Sequence, residues 1–258
     1  MAVLVSDAEA IRTVRIDRPE KKNALTLAMY TTLADALEEA DRREDIRCAI
    51  IAGHESGFCA GNDLNDFVAM AQTGGLGAPI LRFLHALARG MTPLVAAVAG
   101  NAVGVGTTML LHCDYVVAAE NAVLSTPFVA LGLAPEAASS LIAPRLMGHA
   151  RAFELLAMGR PLNAQGAKEA GIVNAVVPAT ELESAAMIAA HAIAALPPQG
   201  VLAARRLMRG SADEIAARID EEAEVFRQRL ASPEAREAFQ KFFSRNEVRA
   251  SAYRPSRA

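Results

Sequence analysis

Cysteine is scarce in this sequence: Cys48, Cys59 and Cys113 are the only three in 258 residues, and no two share a CxxC spacing. An odd count without clustered histidine excludes a disulfide framework and a zinc site. Positive charge is not in excess either. The 26 Lys and Arg stand against 29 Asp and Glu, a net charge of −3 with no basic stripe, so nucleic acid is not the expected partner. No run of about 20 apolar residues occurs, and no membrane span is expected. Met1 to Asp7 has neither a basic cluster nor a long apolar stretch, so no secretory signal is expected there. A reducing, cytoplasmic setting is the expectation.

What is present is an ordinary globular composition, 52% hydrophobic and 21% charged, in a chain long enough for one large domain with a substantial core. Imperfect alternation from Ala10 to Asp17, with Ile11, Val14 and Ile16 apolar, predicts an edge or half-buried strand. Leu27, Tyr30, Leu33, Ala34 and Leu37 recur at helical spacing and predict an amphipathic helix over Thr26–Arg43. Arg47–Ala52 and Leu94–Val98 are short apolar runs that suit buried strands. Between them, Ile80, Leu81, Leu84 and Leu87 mark another helix. Asp114–Ala119 and Ala122–Ser125 read as strands around the turn pair Glu120-Asn121. Ala150–Met158 and Ala164–Ala170 read as helices, and Gly171–Pro178 as a closing strand. Beyond Pro178 the pattern is helical, including Ile215–Leu230 and Glu234–Arg245, the latter carrying Phe239, Phe242 and Phe243.

Two glycine-rich turns stand out. Gly104 and Gly106 frame Val105 after the Leu94–Val98 strand and before a predicted helix over Thr107–His112. Backbone N–H groups near Val105 therefore lie at a helix N-terminus, where negative charge is favoured. The other turn is Ser56-Gly57-Phe58-Cys59-Ala60-Gly61-Asn62-Asp63-Leu64, whose small residues leave the main chain open to a ligand. Gly104-Val105-Gly106 is not a dinucleotide fingerprint, because Met109 stands where the third glycine belongs. The five histidines are dispersed, and none pairs with Cys or Ser at a nucleophile's spacing.

These two turns, with the block Lys22-Asn23-Ala24-Leu25 and the closing Gly171–Pro178 segment, resemble the enoyl-CoA hydratase/isomerase (crotonase) superfamily. The matching blocks run from about residue 11 to about residue 178. The resemblance implies an α/β fold, a crotonase-type spiral of ββα repeats over residues 1–195 followed by a helical oligomerisation region over 196–258. It implies an acyl-CoA substrate, with no further cofactor, and a homotrimer or dimer of trimers. It also implies two oxyanion donors, the N–H groups of Asn62 and Val105. The substrate and coenzyme A site would draw on Lys22, Ala24, Leu25, Ala60, Gly61, Asn62, Asp63, Leu64, Gly104 and Phe128. The family's acyl-chain pocket falls near the Gly74-Gly75 connector, and its last helix helps cover coenzyme A. Lys21, Lys22, Lys241 and Arg245 are candidates for the phosphates, although solvated surface charge explains each equally well.

The acids decide which reaction is expected. Hydratases of the family hold water between two glutamates, and the corresponding positions here are Thr108 and Phe128, neither of which takes a proton from water. One acid remains nearby, Glu136 in the block Gly132-Leu133-Ala134-Pro135-Glu136-Ala137-Ala138-Ser139-Ser140. With Ser125-Thr126-Pro127-Phe128 before it, this block resembles the Δ3,Δ2-enoyl-CoA isomerases, in which a single glutamate shuttles the proton. Moving a double bond from C3–C4 to C2–C3 needs one base and no bound water. Enoyl-CoA hydratase activity and noncatalytic acyl-CoA binding are the competing readings. Asp63 is expected to brace its loop and Asp114 to be structural.

Overall fold

The computed structural model describes residues 2–54, 57–63, 66 and 75–252, and the side chains of 242, 243 and 245–252 lie outside that description. Ser56, Leu64 and most of the expected connector before Gly75 therefore fall outside the described residues, as do the side chains of Phe242 and Phe243.

A six-stranded sheet forms the scaffold, in the order β1 (Val3–Ala8), β2 (Ile11–Ile16), β3 (Cys48–Ala52), β4 (Leu94–Val98), β6 (Tyr115–Ala119) and β9 (Ala175–Val177). All pairings are parallel except β1 with β2. The sequence pattern marks no strand before residue 10. Only Val3 of β1 is buried, so the strand lacks the apolar signal that would reveal it. Because β1 covers that flank, β2 is an interior strand rather than an edge.

The central strands are buried on both faces, which explains their unbroken apolar runs. Cys48, Ile50, Val95, Ala97 and Val117 face one side, where α6 (Leu182–Ala194) lays Leu182, Ala186 and Ala190 against them. Ala49, Ile51, Ala96, Val98 and Val116 face the main core. There α1 (Leu27–Arg42), capped by the Thr26 side chain, packs beside α2 (Ala78–Arg89), with Tyr30 and Phe83 rings 5.6 Å apart.

A second, three-stranded sheet joins β5 (Asn101–Val103), β7 (Val123–Ser125) and β8 (Leu162–Asn163). Between β5 and β6 lie the short helix α3 (Val105–Thr108) and a 3-10 turn, Met109–His112. The helix expected to open at Thr107 thus starts two residues earlier, with Gly104 as its N-cap residue. Helix α4 (Ser139–Leu156) is kinked at Gly148 and followed by α5 (Ala164–Glu169). Its first half escapes the sequence pattern because Pro144 and the small residues around it blur the period.

The C-terminal helices are α7 (Pro198–Arg209), α8 (Ala212–Leu230) and α9 (Pro233–Ala252). Ile215, Ile219, Phe226 and Leu230 of α8 enter the main core, and Phe239 of α9 packs against it. Among the described residues, no single helix is long and apolar enough to cross a membrane.

Candidate active site

The two glycine turns meet. Cys59 bridges to Ala102 of β5, the Cys59 and Val103 main chains are hydrogen-bonded, and Gly106 lies so close that a Cβ there would stand 2.7 Å from the Cys59 carbonyl oxygen. Only glycine permits this approach. The turns are thereby held against each other as one rigid unit.

Among the described residues, no backbone carbonyl takes the N–H of Asn62 or of Val105. The Val105 N–H opens α3, and Asn62 follows the Gly61 turn, itself fixed by the Leu25 N–H donating to the Gly61 carbonyl at 2.8 Å. The phenol of Tyr30, fully buried, donates to Asn62 Oδ1 at 2.6 Å and locks that side chain. Both turns line one cavity of about 530 Å³. Ala60, Gly61, Asn62, Gly104, Val105 and Phe128 are in its wall, with Leu133, Phe226, Phe239 and Lys241 opposite or above.

Other expected residues lie elsewhere. Lys22 is exposed in a left-handed turn, its carbonyl accepting the Ala60 N–H, while Leu25 is buried and holds Gly61 and Asp63 through its main chain. Ala24 is half-buried, its carbonyl accepting from Arg18 at 3.0 Å. Asp63 accepts from Arg18 at 2.7 Å and braces the loop. These four support the cavity wall without lining it. Asp114 receives the Leu94 N–H at 2.8 Å and Arg205 at 2.7 Å, a structural role.

Glu136 is 1% exposed and lies behind the wall rather than in it. Its Oε1 accepts from Thr108 at 3.3 Å, and Oε2 has no hydrogen-bond partner among the described residues. Thr108 is one helical turn after Val105, so the carboxyl stands beside the second glycine turn. Burial pushes the Glu136 carboxyl up to about 8, with the negative charge of Glu222 adding to the rise and the Thr108 hydroxyl opposing it.

The backbone presenting Glu136 is strained. Ala137 and Ala138 both adopt left-handed conformations, φ 63° and 52°, which an L side chain resists by about 1 kcal/mol or more each. His112 holds this turn: its Nε2–H donates to the Ala137 carbonyl at 2.7 Å. Burial drives the imidazole pKa down to about 4, so it stays neutral and keeps that bond near pH 7. Tyr30, His112 and Glu222 escape sequence reasoning because each reaches the site from a distant part of the chain. Helical periodicity reads Tyr30 only as core.

Fold and site together bring two glycine turns to one cavity, with main-chain N–H groups that no backbone carbonyl takes among the described residues and a buried carboxyl near the second turn. A sequence model described as enoyl-CoA hydratase/isomerase matches residues 6–250, and the chain belongs to that family, the crotonase superfamily. It is 34% identical to enoyl-CoA delta isomerase 2 of Rattus norvegicus over 94% of this chain, yet it spans only 63% of the rat protein's length. It is 35% identical to 1,2-epoxyphenylacetyl-CoA isomerase of Escherichia coli K12, over 78% of this chain and 79% of that one. The crystal structure of an enoyl-CoA hydratase/isomerase from Pseudoalteromonas atlantica T6c superimposes with a TM-score of 0.90 at 39% identity, covering 95% of this chain and 98% of the other.

Proposed function

We propose that the protein is a Δ3,Δ2-enoyl-CoA isomerase in which Glu136 alone moves the proton. The observation that carries this reading is the placement of a buried carboxyl, with only the Thr108 hydroxyl on Oε1 and no partner on Oε2 among the described residues, behind the cavity that both glycine turns line, with Thr108 and Phe128 where a hydratase of the family would hold its glutamates. A 3-enoyl thioester would set its carbonyl oxygen between the N–H groups of Asn62 and Val105. Glu136, behind the cavity wall in this structure, would turn its carboxyl into the cavity on substrate binding and remove a proton from C2; the charge spreads into a dienolate whose oxygen the two donors hold, and the same carboxyl returns the proton at C4. Each donor of this kind commonly contributes about 3 kcal/mol. Charge is held by main chain, so the coenzyme A thioester is the only cofactor-like group invoked. A homotrimer or dimer of trimers, built on residues 196–258, remains part of the proposal, and sedimentation equilibrium tests it.

A carboxyl raised to about 8 is a strong base once ionised, and it matches the task of taking a weakly acidic C–H proton. The base form is required, so kcat/KM should rise about tenfold per pH unit below pH 8 and level off above it. Glu136→Gln keeps size and polarity and should lower 3-enoyl-CoA isomerisation about 10²-fold or more while acyl-CoA binding survives. Full activity in that variant, or brisk hydration of 2-enoyl-CoA by the wild type, would reject the reading. So would binding of 3-enoyl-CoA with no turnover.

A further inference from the structure

A second acid reaches the turn that carries Glu136, from far along the chain. Glu222 of α8 is 6% exposed, and its Oε1 accepts the Ser140 N–H at 2.8 Å. Ser140 belongs to the first turn of α4, where free backbone N–H groups favour an anion. That helix has no side-chain cap from its own N-cap residue, the left-handed Ala138, and Glu222 fills the role from outside. Arg218, one turn earlier on α8, donates to Ser140 Oγ at 3.3 Å. Burial raises the Glu222 carboxyl above its ordinary value, and the Ser140 contacts and the Arg218 charge oppose that rise.

Glu136 has weaker support. It receives one hydroxyl, that of Thr108 at 3.3 Å. Two buried carboxyl groups thus attend the same short turn, from Glu136 to Ser140, each with one hydrogen bond and one Oε2 without a partner among the described residues; Glu222 differs in taking a main-chain N–H at a helix N-terminus, with Arg218 beside it. Like charges in such a site do not ionise together readily, and the better-supported group ionises first.

We propose that Glu222 is a positioning residue: anchored at the N-terminus of α4 beside Arg218, it ionises before Glu136, and its charge then strengthens Glu136 as a base. The inference rests on reading Glu136 as the proton shuttle. The other titratable groups facing the pair keep one state near neutral pH. Tyr30 from α1 and Cys59 from the first glycine turn are buried and held neutral by upward shifts. His112 is held neutral by a downward one, and Arg218 pairs with Glu221 at 2.9 Å. A base that abstracts a proton from carbon gains rate as its proton affinity rises.

The test uses the intact enzyme, with 13C-carboxyl NMR of glutamate-labelled protein and the pH dependence of kcat/KM on 3-enoyl-CoA. Glu136→Gln and Glu222→Gln assign the two resonances. Glu222→Gln keeps an oxygen for the Ser140 N–H and removes the charge. The Glu136 titration midpoint and the acidic limb of the rate profile should both move down by about 1 pH unit. Glu222→Asp, which keeps the charge, should leave both near wild type. An unmoved Glu136 midpoint in folded Glu222→Gln overturns the proposal. If that variant does not fold, wild-type NMR decides: Glu222 must ionise at lower pH than Glu136, and the reverse order overturns the proposal. If instead Glu136→Gln keeps full activity while the midpoint shifts as expected, the base assignment fails and the charge coupling stands.

Discussion

Glu136 is a buried carboxyl that the proposed reaction requires to ionise, and folding and that chemistry feel its burial in opposite senses. Its native pKa is raised from 4.5 to about 8, so between those values the native state holds a proton that the unfolded chain has lost. Stability contributed by this group is full below about pH 4.5 and is lost as pH rises to about 8, by at most about 1.4 kcal/mol per pH unit. Glu136→Gln removes the titration. Melting temperatures of the two proteins should coincide most closely near pH 4.5, and the variant should become progressively the more stable as pH approaches 8. Parallel melting curves across that range would mean that the carboxyl is not held in a dry place.

At the scale of elements, the site depends on two turns kept in contact. Gly106, the second residue of α3, lies against the Cys59 main chain, and a methyl group there would meet the Cys59 carbonyl oxygen at 2.7 Å and its Cβ at 2.8 Å. Backbone atoms tied into the Cys59–Ala102 bridge cannot step aside as a flexible side chain would. Gly106→Ala should therefore separate the Asn62 and Val105 donors. The expected outcome is a loss of about 1–3 kcal/mol in stability and at least a tenfold fall in kcat, read by denaturant unfolding and steady-state assay. Unchanged turnover would show that the reaction does not depend on the contact between the two turns.

For the whole molecule, the C-terminal helices complete both core and cavity. Phe226 of α8 and Glu234, Glu237, Ala238, Phe239 and Lys241 of α9 lie in the cavity wall. Helix α9 is seated against Gly132, where a Cβ would stand 2.8 Å from the Ala235 backbone and where φ is +72°. Ending the chain after residue 230 removes that side of the cavity while sparing Phe226 and Leu230. The truncated protein should bind acyl-CoA at least tenfold more weakly, or aggregate through the uncovered apolar wall, as titration calorimetry and light scattering would report. A soluble truncated chain with wild-type affinity would confine α9 to another role.

Whereas the family resemblance supplied the comparison that sets Thr108 and Phe128 where its hydratases carry glutamates, the sequence by itself determined the glycine turns, the central strands and the amphipathic helices. Each is a local pattern: glycine marks turns through its own conformational freedom, and apolar period marks an element through its own buried face. It also singled out Glu136 as the acid near the turns. Only the tertiary structure decided what kind of acid that is. Its burial, the Thr108 hydroxyl, the His112 bond to Ala137 and the arrival of Glu222 on α8 belong to contacts between distant segments. The same holds for Tyr30, core by its period and the lock on Asn62 by its hydroxyl. Proton affinity is set by the dielectric and charges around a group rather than by its neighbours in sequence, so it becomes legible only when the chain has folded.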